Sequence, residues 1–154
     1  MNSENPPHVT SVVLVAKNYK HAEIEKIAGC PCNPSAAFKE ISYRAVQADI
    51  SHQNNFLPKA ILEPDSLKGA SPSKACGLWG LSMYENPESL KDMIVRVEKS
   101  VKNFRKKIGD HYAEITLSST HGTRTPANKS NHFDFYGFSD CDYTLHIKAV
   151  KPTF

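Results

Sequence analysis

Apolar residues recur along this chain at two spacings, every second position in several short runs and every third or fourth in one long run. In the long run Leu90, Ile94, Val97, Val101, Phe104 and Ile108 follow one another at alternating four- and three-residue steps. That stripe predicts one amphipathic helix over 87–108, roughly 30 Å long at ~1.5 Å per residue. Asn86 suits the N-cap, Pro87 the first helical position and Glu88 the positive end of the dipole. Arg105, Lys106 and Lys107 complement the carbonyl end, and Gly109 stops it. Val97 sits mid-stripe, so Val97→Asp is expected to bury a charge and unfold the chain. A second, short helix is predicted over 20–28, with Ile24 and Ile27 on one face and Gly29 after it.

The two-residue period marks strands. His8–Ala16 is β-branched and apolar, and reads as a buried strand. Ile41–Val46 alternates, Gly77–Tyr84 returns to a strand pattern, and Tyr112–Leu117, His132–Tyr136 and Asp142–Val150 follow. The turn Ser139–Asp142 is expected to join the last two as a hairpin. Residues 47–76 are broken by Asn54, Asn55, Pro58, Pro64, Gly69 and Pro72, which predicts a long surface excursion, with 64–76 a mobile loop. The sum is an α+β fold: a mostly antiparallel sheet of about six strands, with the 87–108 helix packed across one face and the 20–28 helix beside it. We expect residues 1–154 to form a single domain.

Composition narrows the class. With 154 residues, 40% apolar and 23% charged, the chain can bury a real core and is not of disordered type. The net charge of +3 permits an anionic partner without demanding one. The opening MNSENPPHV has no basic segment followed by an apolar run, so a cytoplasmic location is expected. Cys30, Cys32, Cys76 and Cys141 then read as reduced thiols, Cys76 and Cys141 as inert buried ones. No apolar stretch approaches the ~18 residues of a membrane span.

Candidate chemistry concentrates in Ser118–Gly137, SSTHGTRTPANKSNHFDFYG, where His121, Thr123, Arg124, Asn131, His132 and Asp134 fall between two strand-like runs. Polar groups of this kind on a loop held by a scaffold are where binding and catalysis tend to sit. Arg124 is expected to bind phosphate and to be dispensable for folding. His121, His132 and Asp134 are also the residue types of a two-histidine, one-carboxylate metal set, but no metal is assigned. Cys30-Pro31-Cys32 has one intervening residue, short of the spacing of zinc ligand pairs. No Gly-x-Ser-x-Gly elbow or glycine-rich phosphate loop occurs. No cofactor is assigned.

Two resemblances add to this. His8-Val9-Thr10 and His121-Gly122-Thr123 resemble the paired His-x-Thr motifs of the 2H (two-histidine) phosphoesterases. That resemblance implies two histidines acting as acid and base across a phosphodiester, with the hydroxyls on phosphate oxygens. The second triplet departs from the pattern by lying in a loop. Arg44 on an early strand, followed by Trp79-Gly80-Leu81-Ser82 on a later one, is similar to ADP-ribosyltransferase-like folds. There an early Arg and a Ser after an aromatic hold a nucleotide; the catalytic Glu of that pattern has no clear counterpart here.

Two functions are therefore expected. One is an accessory or binding protein that engages an anionic small molecule, a nucleic acid or an acidic protein surface through the 119–136 loop and the basic end of the long helix. The other is a small enzyme for a nucleotide or phosphodiester, with His121 and His132 as acid and base and Arg124 on the phosphate. A ligand site would draw on Arg44, His52, Trp79, Ser82, Thr123, Arg124, Asn131 and Asp134. The enzyme requires His121, Arg124 and His132 to meet Arg44, His52 or Ser82 in one cleft.

Overall fold

A computed structural model describes Ile24, Lys26, Ile27, Gly29, Cys30, residues 37–138 and residues 140–154. The expected strand at 8–16, His8-Val9-Thr10, Cys32 and most of the 20–28 helix lie outside the described residues. Six strands form one antiparallel sheet: β1 Ser42–Val46, β2 Leu81–Tyr84, β3 His111–Ile115, β4 Gly122–Arg124, β5 His132–Gly137 and β6 Ile147–Pro152. Their spatial order is β4-β5-β2-β1-β3-β6. Among the described residues the α-helices are α1 Lys59–Leu62, α2 Pro72–Trp79, α3 Pro87–Glu98 and α4 Phe104–Ile108. This is the α+β architecture expected. No helix among the described residues is long and apolar enough to cross a membrane.

The alternation of β2 and β5 divides the sheet into two chemistries. Leu81 pairs with Phe135 and Met83 with Phe133, and all four are buried in the main core with Val46, Ala113 and Ile115. Phe38, Phe56 and Tyr143 pack onto that face. The intervening pairs, Ser82 with Asp134 and Tyr84 with His132, project from the opposite face, because successive side chains alternate. The helices cover this second face in two groups. Leu90 and Ile94 of α3 pack on Tyr84 and Tyr112, with Phe104 and Ile108 of α4 beside them. Cys76 and Trp79 of α2 pack with Ala60 of α1, Ile24 and Tyr136.

Several expectations change. The 87–108 stripe is helical but broken. α3 stops at Glu98, Asn103 takes a left-handed conformation at φ 60°, and α4 begins after it. Ser100 and Asn103 are poor interior residues, and asparagine tolerates positive φ better than other non-glycine residues. Val97 is only partly buried, whereas Ile94 is fully enclosed. The 47–76 excursion is short helical pieces rather than open loop, and 64–76 contains a 3-10 turn at Pro64–Leu67 and the start of α2. The strand expected at 77–84 begins only at Leu81, because Ser71 caps α2 by accepting from the Lys74 amide and burial of Cys76 and Trp79 holds the helix to Trp79. The 142–150 strand starts at Ile147, after a 3-10 turn at Tyr143–His146. It pairs with β3, so β5 and β6 are not a hairpin.

Cys30 and Cys76 are joined in a disulfide, 46 residues apart in sequence, which overturns the reading of Cys76 as an inert thiol. Cys141 is free and buried. Closing a loop of that length stabilises by about 4 kcal/mol in the chain-entropy account. The expectation is that reduction lowers the unfolding free energy by no more than this amount while the main core survives. Ile94→Ala should cost about 2–5 kcal/mol, and Val97→Asp less than Ile94→Asp, because only Ile94 is sealed from water. Urea titration of the variants, read by circular dichroism, measures both.

Candidate functional site

Between the two helix groups the second face of the sheet is left open, and a cleft of about 470 Å³ lies there. Its polar floor includes Ser82, Tyr84, His132 and Asp134. One wall carries Leu62 and Glu63 at the end of α1 together with Lys74, Gly77 and Leu78 of α2. The other carries Leu90 and Met93 of α3 and Phe104, Lys107 and Ile108 of α4. The size is that of an ordinary small-molecule site.

Local sequence positions each part. Asn86 accepts from the Ser89 amide at 2.8 Å and fixes the start of α3, two residues after Tyr84. Gly80 lets α2 turn directly into β2. A Cβ at Gly80 would lie 2.7 Å from Asp134 Cβ and 3.0 Å from the Tyr136 ring, so any larger residue would push the floor apart. Tyr136 anchors α2 by donating its hydroxyl to the Cys76 carbonyl at 2.8 Å.

On the floor His132 Nε2 lies 2.7 Å from Ser82 Oγ. Asp134 Oδ1 approaches the same nitrogen at 3.8 Å, and the Tyr84 ring meets the imidazole edge-on at 5.2 Å. Burial holds the His132 pKa below its ordinary value of 6.5, so the ring is neutral at pH 7. A neutral imidazole with its proton on Nδ1 accepts from the serine hydroxyl. In a Ser-His-Asp triad the carboxylate grips the opposite nitrogen, Nδ1. Here it stands at Nε2, so the arrangement is a hydroxyl–imidazole pair with a nearby carboxylate and not a relay.

Arg44 borders the cleft, but its side chain is committed elsewhere. β1 and β2 share the pair Tyr43–Tyr84, and the guanidinium bridges from β1, donating from Nη1 to the Ser82 carbonyl and from Nε to the Asn55 carbonyl, each at 2.8 Å. Burial pushes its pKa down to about 10, which leaves it charged at neutral pH. Asn55, unnoticed in sequence, is a buried staple. Its Oδ1 accepts from the Gln47 amide at 2.7 Å, and its Nδ2 donates to the Asp49 carbonyl at 3.1 Å.

The loop residues do not gather as expected. β4 and β5 form a hairpin in which Gly122 faces Gly137, so His121 lies near the Gly137 end of β5. His132 is five residues away along β5, roughly 16 Å at ~3.3 Å per residue. His121 instead stacks on His146, with ring centroids 3.9 Å apart, and accepts from the Ser118 amide at Nδ1. His121, His132 and Asp134 therefore cannot share a metal, and no group of three metal-ligating residues occurs among the described residues. Thr123 pairs with Tyr136, and Asn131 takes a φ of 60° in the hairpin turn and donates to Ser89 Oγ at 3.0 Å. His52 caps the turn at Gln53–Phe56, and Trp79 is core. None of these four borders the cleft.

Arg124 is the sharpest departure. It is 2% exposed, 2.9 Å from Glu85 Oε2 through Nη2, and stacked over the Phe133 ring at 3.7 Å. This is a structural ion pair beneath the sheet and not a phosphate contact. The cleft residues that sequence reasoning missed are Tyr84, Lys59, Lys74 and Met93; Phe104 was read only as part of the core stripe, and Lys107 only as part of the basic helix end. Phe104 and Ile108 belonged to the apolar stripe and pack at the core's edge, where they also line the cleft, whereas Met93 lies off that stripe.

The fold and site define a six-stranded antiparallel α+β protein with a small-molecule-sized cleft between sheet and helices. Comparison with known protein families, with curated proteins and with solved structures finds no match for the chain.

Because the carboxylate of Glu85 is only 17% exposed, Arg124→Ala should strand a buried charge and cost about 3–5 kcal/mol. The Arg124→Met, Glu85→Leu double variant should recover most of that loss. Equilibrium unfolding decides; a single variant as stable as the parent would show the pair to be idle.

Proposed function

We propose that the protein is a small enzyme acting on an anionic small molecule in this cleft, with His132 taking and returning a proton and Ser82 as the hydroxyl it works with. The observation that carries this reading is the 2.7 Å contact between Ser82 Oγ and His132 Nε2 on the floor of a cleft of ligand size. A half-buried, neutral imidazole within hydrogen-bond reach of a hydroxyl is the arrangement general acid–base catalysis needs. Lys59, Lys74 and Lys107 on the walls exceed Glu63 and Asp134 in charge, which favours an anion. The reading keeps the anionic partner expected from sequence, prefers a small molecule to a nucleic acid or protein surface, and moves the site from the 119–136 loop to the helix-covered face. It keeps the cytoplasmic location as a proposal, and the formed Cys30–Cys76 bond, of the kind oxidising compartments favour, is the observation that stands against it.

A non-catalytic binding protein is the second reading. It is favoured by the position of Asp134, which stands at Nε2 where it does not orient the ring through Nδ1. Turnover separates the two, since a binding protein loses affinity but no activity when His132 is replaced.

The histidine sets a pH dependence. With its folded pKa below 6.5, the unfolded chain takes up the proton first as pH falls, so the stability tied to His132 is present above about pH 6.5 and declines below it. His132→Gln should flatten that acid limb in a plot of melting temperature against pH. Any activity should fall at lower pH than the onset of that stability loss, because it follows the lowered folded-state pKa, and should vanish in the variant. Identical limbs in parent and variant would remove His132 from this role.

A further inference from the structure

We infer that the cleft takes a 5′-phosphorylated nucleoside, its heteroaromatic ring between the floor and the α3–α4 wall and its phosphate among the lysines. This deepens the acid–base reading above and rests on it for the location of the site. Three properties of the lining converge on that ligand.

The wall of Leu90, Met93, Phe104 and Ile108 is apolar, and Tyr84 continues it onto the floor. A sugar set against it would leave hydroxyls without partners. The floor beside it is polar and mixed: Ser82 and the His132–Asp134 pair offer both donors and acceptors. An alkyl chain reaching that floor would desolvate these groups and return no hydrogen bond. A flat ring with apolar faces and a donor–acceptor edge satisfies both surfaces at once. Lys74 on α2 and Lys107 on α4 flank the cleft from opposite walls, with Lys59 on α1. Their ammonium groups are suited to a phosphate as point charges. The guanidiniums nearest in sequence reading are spent, Arg44 on carbonyls and Arg124 on Glu85.

Isothermal titration of the full chain tests this with phosphate, adenosine, the four nucleoside 5′-monophosphates, a 5′-phosphorylated RNA tetramer and dodecanoate. The expected result is that at least one monophosphate binds about tenfold or more tighter than adenosine or phosphate alone, the gain of a charge-assisted contact. A tetramer that binds as well would assign the terminal nucleotide of an RNA as the source of the same chemistry. Lys74→Ala and Lys107→Ala should each weaken the monophosphate several-fold and leave adenosine unchanged, and Met93→Ala should weaken both. Each variant's circular dichroism is recorded, and Lys74→Gln serves as a second substitution should the alanine variant misfold. Dodecanoate binding tightest, or monophosphates binding with no loss in the lysine variants, would overturn the assignment. Binding with the expected lysine dependence but none on His132 would uphold the ligand and sink the acid–base reading. Turnover of a non-nucleotide that requires His132 would do the reverse.

Discussion

The register between β2 and β5 is the constraint on which the rest depends. Four consecutive pairs, Leu81–Phe135, Ser82–Asp134, Met83–Phe133 and Tyr84–His132, place every apolar member on one face and every polar or half-polar member on the other. A slip by one residue would put Asp134 and His132 into the core and expose Phe133 and Phe135. The burial of Leu81, Met83, Phe133 and Phe135 is thus also what fixes Ser82 opposite Asp134 and brings the imidazole to the serine hydroxyl. Core and site are two readings of one alternation.

What keeps the polar face open is the way the helices divide over it. α3 and α4 settle on Tyr84 and Tyr112, while α1 and α2 settle on Tyr136. Tyr84 and Tyr136 belong to neighbouring strands, yet each supports a different helix group, and the floor between them receives no helix. Gly80 contributes at the hinge of this arrangement, because α2 can turn into β2 beside Asp134 only without a side chain.

Local signals were legible and long-range ones were not. Asn86-Pro87-Glu88 announced α3 because capping is a matter of adjacent residues. The break at Asn103 was hidden because the apolar stripe continues through it, carried by Phe104 and Ile108 on a separate helix. The first part of α2 was read as loop and its end, Gly77–Trp79, as strand because Gly77 and Gly80 flank a short apolar run, and only the burial of Cys76 and Trp79 decides for helix. For the site, His132, Ser82 and Asp134 were all singled out, but so were His121 and Arg124. Neighbours in sequence were taken as neighbours in space, whereas an antiparallel hairpin sends its two ends to opposite poles of β5. Arg124 further shares the parity of Phe135, which takes it under the sheet. The walls of Lys74, Met93 and Phe104 come from separate elements, and no local pattern joins them.

The chemistry open to the site follows from where a sheet floor can place a carboxylate. Ser82 and Asp134 are direct cross-strand partners and His132 lies two residues along, so all three project from one plane toward one side. A relay triad needs the acid behind the imidazole, at Nδ1, which a flat floor does not supply. Instead, hydroxyl and carboxylate both face Nε2, at 2.7 and 3.8 Å. While the ring is neutral with its proton on Nδ1, Nε2 accepts from Ser82. Once it has taken a proton, Nε2 becomes a donor, and Asp134 stands ready as the partner of the cation. Burial opposes that charged state and keeps the ring neutral at rest. The floor therefore favours an imidazole that is neutral at rest and gains a carboxylate partner only once it is protonated.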